Sequence, residues 1–385
     1  MIDNEELIKL TQKLVSIESS NIGTFEKEIG DFVYDWMSSE TDTEVVKDEF
    51  EKDRFNVVSM LKSESDEPPL LIIAHMDTVP IGDGWEHDPF GEMDGDRFYG
   101  RGAYDMKCGL ATAMLAYRDI ANEVIRDGAE LKRTLIFAAT ADEEDRMLGA
   151  ERLIESGYAT AETLAVDFDC SDETIYMGHK GKCWYEITAK GKSAHSAFPE
   201  TGIDAIAAMA EVIRYIRKAL PEFPSDDLFG MNTVCFGTIE GGDNTNIVAG
   251  LCKMKIDVRI NRYLSEDGCD EVIDRAIETA KTEVPGIEIT YNKFASRPAT
   301  GLNENSPIVI ALQQAILEET GEKKQPVVEM AYTDSGVIAA MTGNRNCITF
   351  GPYGEALHKP NEWVSISSMK KTAKIIDRFI RLLVC

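Results

Sequence analysis

Apolar positions recur at helical spacing early in the chain, in "NEELIKLTQKLVSI" and again in "FEKEIGDFVYDWM". The runs "TEVVKDEF" and "FNVVSMLKS" predict strands, and the unbroken apolar stretch of "PLLIIAH" predicts a central one. "DMKCGLATAMLAYRDIANEVI" predicts a long, mostly apolar helix with Asp105 near its start. "RTLIFAAT" and "TLAVDFD" predict two more buried strands, and "DEEDRMLGAERLIESG" between them turns into a helix. Strands alternating with helices predict an α/β domain with a mostly parallel sheet.

The pattern changes near Cys183. "KCWYEITAKG" alternates like a half-buried strand, and "GIDAIAAMAEVIRYIRKAL" is helical. "MNTVCFGTIEGG" and "NIVAGLCKMKIDVRI" predict two strands, "SEDGCDEVIDRAIETAK" a helix and "GIEITYNKF" a last strand. The order β-α-β-β-α-β is the ferredoxin-like pattern of a small α+β domain. After it, "SPIVIALQQAILEETG", "NCITF" and "SMKKTAKIIDRFIRLLV" resume the helix and buried-strand alternation. The expected organisation is one α/β domain over 1–182 and 295–385, with residues 183–294 inserted into it.

Composition narrows the function. With 385 residues the chain is too long for one ordinary core. Its 68 acidic and 40 basic residues leave a net charge of −28, which argues against nucleic acid as a partner. No apolar stretch reaches the length of a membrane span. "MIDNEELIKL" lacks the basic start and apolar core of a signal peptide, so a cytoplasmic location is expected. The eight cysteines form no CxxC pair, which argues for reduced thiols and against a cysteine zinc site.

The chemistry gathers where strands end. In "LLIIAHMDTVP" the buried run leads into His75 and Asp77, two residues apart and so on one face of an extended chain. A carboxylate behind an imidazole is how a metal-binding histidine is held, although a strand-end histidine beside ordinary loop polarity looks the same. Asp142, Glu143 and Glu144 follow "TLIFAAT", Asp167 and Asp169 end "TLAVDFD", and the loop after "NCITF" leads to His358. Taken alone, "DEE" is an ordinary solvated helix start. Together with Asp105, these segments bring acids and imidazoles to the carboxyl edge of an open sheet, where the crevice lies. So many acids repel one another unless cations offset them, and two divalent ions sharing a carboxylate do so best. Imidazole and carboxylate without thiolate suit zinc, with cobalt or manganese as substitutes. "YGRGAYD" lacks the spacing of a phosphate loop, and "TDSG" lacks the frame of a nucleophile elbow.

In order along the chain stand "HMDTVP", "WEHDPF", "DGDRFYGRGAYDMK", "TADEE", "GHKG", "GKSAHSAFPETG", "NTNIVAG", "KIDVRIN" and "LHKPNEW". In these motifs the chain resembles the co-catalytic di-zinc amidohydrolases and peptidases that include acetylornithine deacetylase, succinyl-diaminopimelate desuccinylase, aminoacylase and glutamate carboxypeptidase. The resemblance implies a zinc-peptidase-like catalytic domain, with the inserted domain as a lid that forms a homodimer contact. It implies His75 and an acidic residue, Asp169 with Asp167 as rival, as ligands of a first metal ion, with Asp77 behind His75. Asp105 would bridge to a second ion held by Glu144 and His358. Glu143 would be the general base on a metal-bridged hydroxide, and His195 would reach into a neighbouring subunit's site to hold the scissile carbonyl. Asn246 and Arg259 resemble lid residues that bind the substrate near its carboxylate.

The implied activity is metal-dependent hydrolysis of an amide in a small molecule, either an N-acyl amino acid or a short peptide. A di- or tripeptidase or carboxypeptidase is the alternative to a deacetylase or desuccinylase. "VDFDC" replaces the glutamate-proline stretch usual in the deacylase members, Cys108 stands where glycine is usual, and "NIVAG" lacks a common proline. A catalytically inert binding protein of the same shape would show a broken ligand set, and none is seen here.

Overall fold

Two kinds of strand burial run along the chain. In the strand Leu70–His75 every residue is buried, which a strand covered on both faces requires. In Leu251–Ile260 buried and exposed positions alternate, as in an antiparallel sheet with one wet face. In a computed structural model describing residues 2–301 and 303–385, these strands belong to two compact units. One is Met1–Gly178 with Gly301–Cys385, and the other is His179–Thr300.

The first unit begins with α1 (Asn4–Val15), α2 (Lys27–Glu40), β1 (Val45–Glu51), β2 (Arg54–Leu61) and β3 (Leu70–His75). β4 (Glu92–Asp94), β5 (Arg97–Tyr99), α3 (Cys108–Asp127), β6 (Leu135–Thr140), α4 (Leu148–Glu155), β7 (Leu164–Asp167) and β8 (Tyr176–His179) follow. The second unit is β9 (Gly181–Lys190), α5 (Ala205–Ala219), β10 (Thr233–Gly241), β11 (Leu251–Ile260), α6 (Glu266–Glu283) and β12 (Glu288–Arg297). The chain then returns to the first unit as α7 (Pro307–Thr320), β13 (Val327–Glu329), α8 (Asp334–Thr342), β14 (Cys347–Thr349), β15 (Gly354–Glu355), β16 (Trp363–Ser365) and α9 (Ile366–Val384).

Among the described residues the first unit's large sheet has eight strands in the order β1-β2-β6-β3-β7-β14-β8-β13. Its centre, β6-β3-β7-β14, is parallel, with Ile73 opposite both Ala138 and Asp167. β2 joins β6, and β8 joins β14, in antiparallel fashion. A second small sheet runs β15-β16-β5-β4. Leu110, Met114 and Tyr117 of α3 and Ile376, Phe379 and Ile380 of α9 share one core with Ile72, Phe137 and Val166 of the sheet. The protein is thus an α/β protein with a largely parallel central sheet.

In the inserted unit the sheet order is β10-β11-β9-β12, antiparallel throughout. With α5 and α6 packed on its apolar face, this is the ferredoxin-like arrangement. Asp204 and Ser265 cap the two helices by accepting their first free N–H groups. The unit's two ends are bonded to each other. Thr300 N–H donates to the His179 carbonyl at 2.9 Å, and His179 N–H donates to Thr300 Oγ1 at 2.6 Å. Both residues lie outside the change of pattern that marks 183–294 in the sequence.

Candidate metal centre

β3 delivers His75 at its carboxyl end, where the side chain is buried. Its Nδ1 lies 3.0 Å from the backbone carbonyl of Asp77. A carbonyl only accepts, so Nδ1 carries a proton and leaves Nε2 to face the site. The Asp77 carboxylate is further away, at 3.7 Å, and is occupied elsewhere. It accepts the backbone N–H groups of Glu143 and Glu144, both at 3.1 Å, and the Asn21 amide at 3.0 Å. The carboxylate expected behind His75 therefore holds the acidic turn, while the same residue's carbonyl orients the imidazole.

That turn follows β6. Asp142 has φ +72°, a left-handed conformation that suits a side chain bonded to nearby backbone. Arg54 of β2 reaches Asp142 Oδ1 at 2.7 Å and grips Glu26 with Nε at 3.0 Å and Nη2 at 2.5 Å. Asp142 N–H in turn donates to Glu26 at 3.1 Å. This buried network sets the direction in which Glu143 and Glu144 leave the strand.

Asp105 does not start a regular helix. It sits in a wide turn, Ala103–Lys107, with non-helical backbone at Asp105 and Met106, and α3 begins only at Cys108. The apolar spacing of α3 runs on through this turn, which is why sequence periodicity places Asp105 in the helix. Gly102 precedes the turn at φ +81°, where an added Cβ would lie 2.6 Å from Thr78 Cγ2. Cys108 fits as a buried thiol, whereas at Gly109 a Cβ would come 2.0 Å from the Phe168 carbonyl.

The turn aims Asp105 between two imidazoles. Its Oδ1 is 3.0 Å from His75 Nε2, and its Oδ2 is 3.0 Å from His358 Nε2. His358 Nε2 also lies 3.1 Å from Glu144 Oε2. Two groups of donors, His75–Asp105–Asp169 and Asp105–Glu144–His358, each have ligand atoms within 4.8 Å of one another. Asp169 stands in the first group, while Asp167 accepts the Ser335 N–H at 3.3 Å. Glu143 is in neither group, with its Oε2 4.0 Å from His75 Nε2.

The electrostatics match a site built for cations. Burial pushes the Glu143 and Asp169 carboxyls well above the usual carboxylate range. Burial and the neighbouring Asp105 raise Glu144 as well. Burial also opposes charge on Asp105, but hydrogen bonds from His358 and His75 hold it below the ordinary value. Hydrogen bonds to Asp105 and Glu144 lift His358 to about 10. Protons thus fill the place that divalent charge would take, and the donors, two imidazoles with carboxylate oxygens, fit a pair of such ions sharing Asp105.

His195, Asn246 and Arg259 belong to the inserted unit. His195 is exposed, its Nδ1 accepts Ala197 N–H at 3.1 Å, and the Ser196 N–H donates to the Asn246 carbonyl at 3.0 Å. Arg259 Nε bonds both oxygens of Asp257, at 3.1 and 3.0 Å. Sequence reasoning passed over Asn21, Glu26 and Arg54, whose roles depend on contacts across β2, β3 and β6 that no local motif announces.

A largely parallel α/β sheet whose carboxyl edge carries two donor groups around one shared carboxylate defines the class: an α/β protein with a candidate two-metal centre. Residues 71–382 match Peptidase family M20/M25/M40, and the chain belongs to that family of hydrolases. It is 31% identical over 323 residues to an acetylornithine deacetylase of Photorhabdus laumondii, covering 81% of this chain and 79% of that protein. In fold it is similar to a tripeptidase of Staphylococcus aureus, with TM-score 0.81, 22% identity and coverage of 100% and 99% of the two chains. It is also similar to a Bacillus subtilis protein described as a dinuclear metal-binding peptidase of the M20 family, with TM-score 0.71, 18% identity and coverage of 99% and 98%. No helix among the described residues is long and apolar enough to cross a membrane.

Proposed function

We propose that the protein hydrolyses the amide bond of an N-acyl amino acid, giving a carboxylic acid and an amine. The observation that carries this is Asp105 standing 3.0 Å from both His75 and His358, with a carboxylate, Glu143, left outside both donor groups. His75, Asp105 and Asp169 would hold one divalent ion, and Asp105, Glu144 and His358 the other. Such ions, zinc by the donor chemistry, supply Lewis acidity to a carbonyl and acidify water at neutral pH.

Glu143 takes the proton of the attacking water and carries it to the leaving nitrogen. Burial raises its carboxyl above the usual carboxylate range, the direction that strengthens it as a base. Asp77 holds the Glu143 and Glu144 N–H groups, so the base is fixed while the neighbouring acid stays a ligand. By motif resemblance, His195 of a partner subunit in a homodimer donates to the developing oxyanion, and Asn246 and Arg259 bind the substrate near its carboxylate.

The likeness to an acetylornithine deacetylase supports an acyl amino acid, and the motifs fit a short peptide equally. The test is a panel of acetyl-, succinyl- and formyl-amino acids beside di- and tripeptides, assayed on zinc- and cobalt-loaded protein. Turnover of the acyl amino acids supports the reading, and turnover of peptides alone makes the protein a peptidase. A protein that holds two ions per chain and cuts none of them would be the inert binding protein of the same shape.

A further inference from the structure

The shared ligand is held by something outside the donor groups. Tyr104 and Asp105 lie in an irregular turn, so their backbone N–H groups lack the partners of a regular helix. Both donate to one oxygen of Glu362, Tyr104 at 3.0 Å and Asp105 at 3.1 Å. The other oxygen takes Arg101 Nη1 at 2.5 Å, and Arg101 Nη2 reaches the Ile81 carbonyl at 3.2 Å. The Glu362 carbonyl also accepts the Gly100 N–H at 3.0 Å. Arg101 and Glu362 are 5% and 1% exposed. Glu362 follows His358 by four residues, so the segment that carries one imidazole also grips the turn that carries the shared carboxylate.

We propose that Glu362, braced by Arg101, is a positioning residue. Its carboxylate fixes the backbone of Tyr104 and Asp105 and so sets the distance of Asp105 from both histidines. It touches neither substrate nor ion. Since Asp105 is common to both donor groups, loosening Glu362 weakens both ions together, whereas loss of Glu144 or His358 weakens one. This rests on the two-ion reading above.

The experiment compares two double variants of the full chain, both free of a stranded buried charge. Arg101→Met with Glu362→Gln keeps an oxygen that can accept the two N–H groups, and Arg101→Met with Glu362→Met removes it. Cobalt(II) is titrated into each metal-free protein, its ligand-field absorption is followed, and affinities are measured by competition with a chelating dye. Outer partners of metal ligands typically set affinity by about ten- to a hundredfold. The methionine double should bind both cobalt ions at least about tenfold more weakly than the glutamine double, with metal-free melting temperatures close to each other. The single variant Glu362→Gln, measured alongside, should fall between wild type and the methionine double. Equal cobalt affinity and equal spectra in the two doubles would overturn the positioning role. So would a methionine double whose metal-free form melts far below the other, since the bonds would then serve the fold. Wild-type protein that binds no pair of cobalt ions would instead overturn the two-ion reading.

Discussion

Glu143 and Glu144 are adjacent in sequence and both donate N–H to Asp77, yet only Glu144 stands in a donor group. Glu143→Ala should lower turnover by about a hundred- to ten-thousandfold, the worth of a positioned base, while metal content measured by atomic emission stays at the wild-type value. Glu144→Ala should lose the second ion, and the reverse pattern would exchange their roles. His358 carries a pH dependence. Its pKa rises from 6.5 to about 10 through hydrogen bonds to Asp105 and Glu144. A group with a raised folded pKa stabilises fully below its unfolded value and loses that contribution as pH climbs through the folded one. Metal-free protein should therefore lose thermal stability between about pH 6.5 and 10, and the buried acids with raised pKa values act in the same direction. Cobalt affinity should rise across the same window, with protons released on binding. A flat melting profile of the metal-free protein over that range would contradict this origin. At this scale the sequence pointed to side chains that could ligate, since His75, Glu144 and Asp169 stand at or just after apolar strands, whereas the turn that carries Asp105 was hidden in the helical pattern. It did not show that the Asp77 carbonyl, and not its carboxylate, orients His75, because alternation reports which face a residue takes and says nothing of its partner.

Among the elements, β3, β6 and β7 were legible because buried parallel strands are continuous apolar runs. The small sheet β15-β16-β5-β4 was not, since strands of two or three residues are too short to alternate. The wide turn before α3 was hidden for the opposite reason, being apolar and in phase with the helix. The turn after β6 depends on Arg54, whose side chain is 9% exposed and contacts Glu26 and Asp142. Arg54→Met leaves two buried carboxylates without their cation, and breaking such a cluster costs about 3–5 kcal/mol. Urea unfolding of the metal-free variant should show a loss of that size. Replacing Glu26, Arg54 and Asp142 together by neutral residues should restore part of it, and failure of that rescue would place the cost in packing around Phe25 and Phe50 instead.

At the scale of the whole molecule, the change of texture near Cys183 made the insertion visible, while its ends are set by the bonds between His179 and Thr300, beyond reach of a local pattern. The inserted unit carries His195, and the proposal that it acts across a subunit interface is tested by mixing. Glu143→Ala and His195→Ala proteins should each lose about a hundredfold or more in turnover. Once subunits exchange, a mixed dimer has one site with Glu143 from its own chain and an intact His195 from the other, and activity should return. A mixture that stays inactive after exchange is proven by mass spectrometry would place the histidine in its own chain. The clasp between His179 and Thr300 has a consequence for how such a molecule can be taken apart. A piece of chain whose two ends, His179 and Thr300, are bonded to each other can be cut out and the break sealed by a few residues. The remaining polypeptide keeps α3, α9 and the residues His75, Asp105, Glu143, Glu144, Asp169 and His358 in one unit. Gly178 joined through a short linker to Gly301 should then yield a shortened protein, the first unit alone, that still collects ions and against which each contribution of the insertion can be weighed.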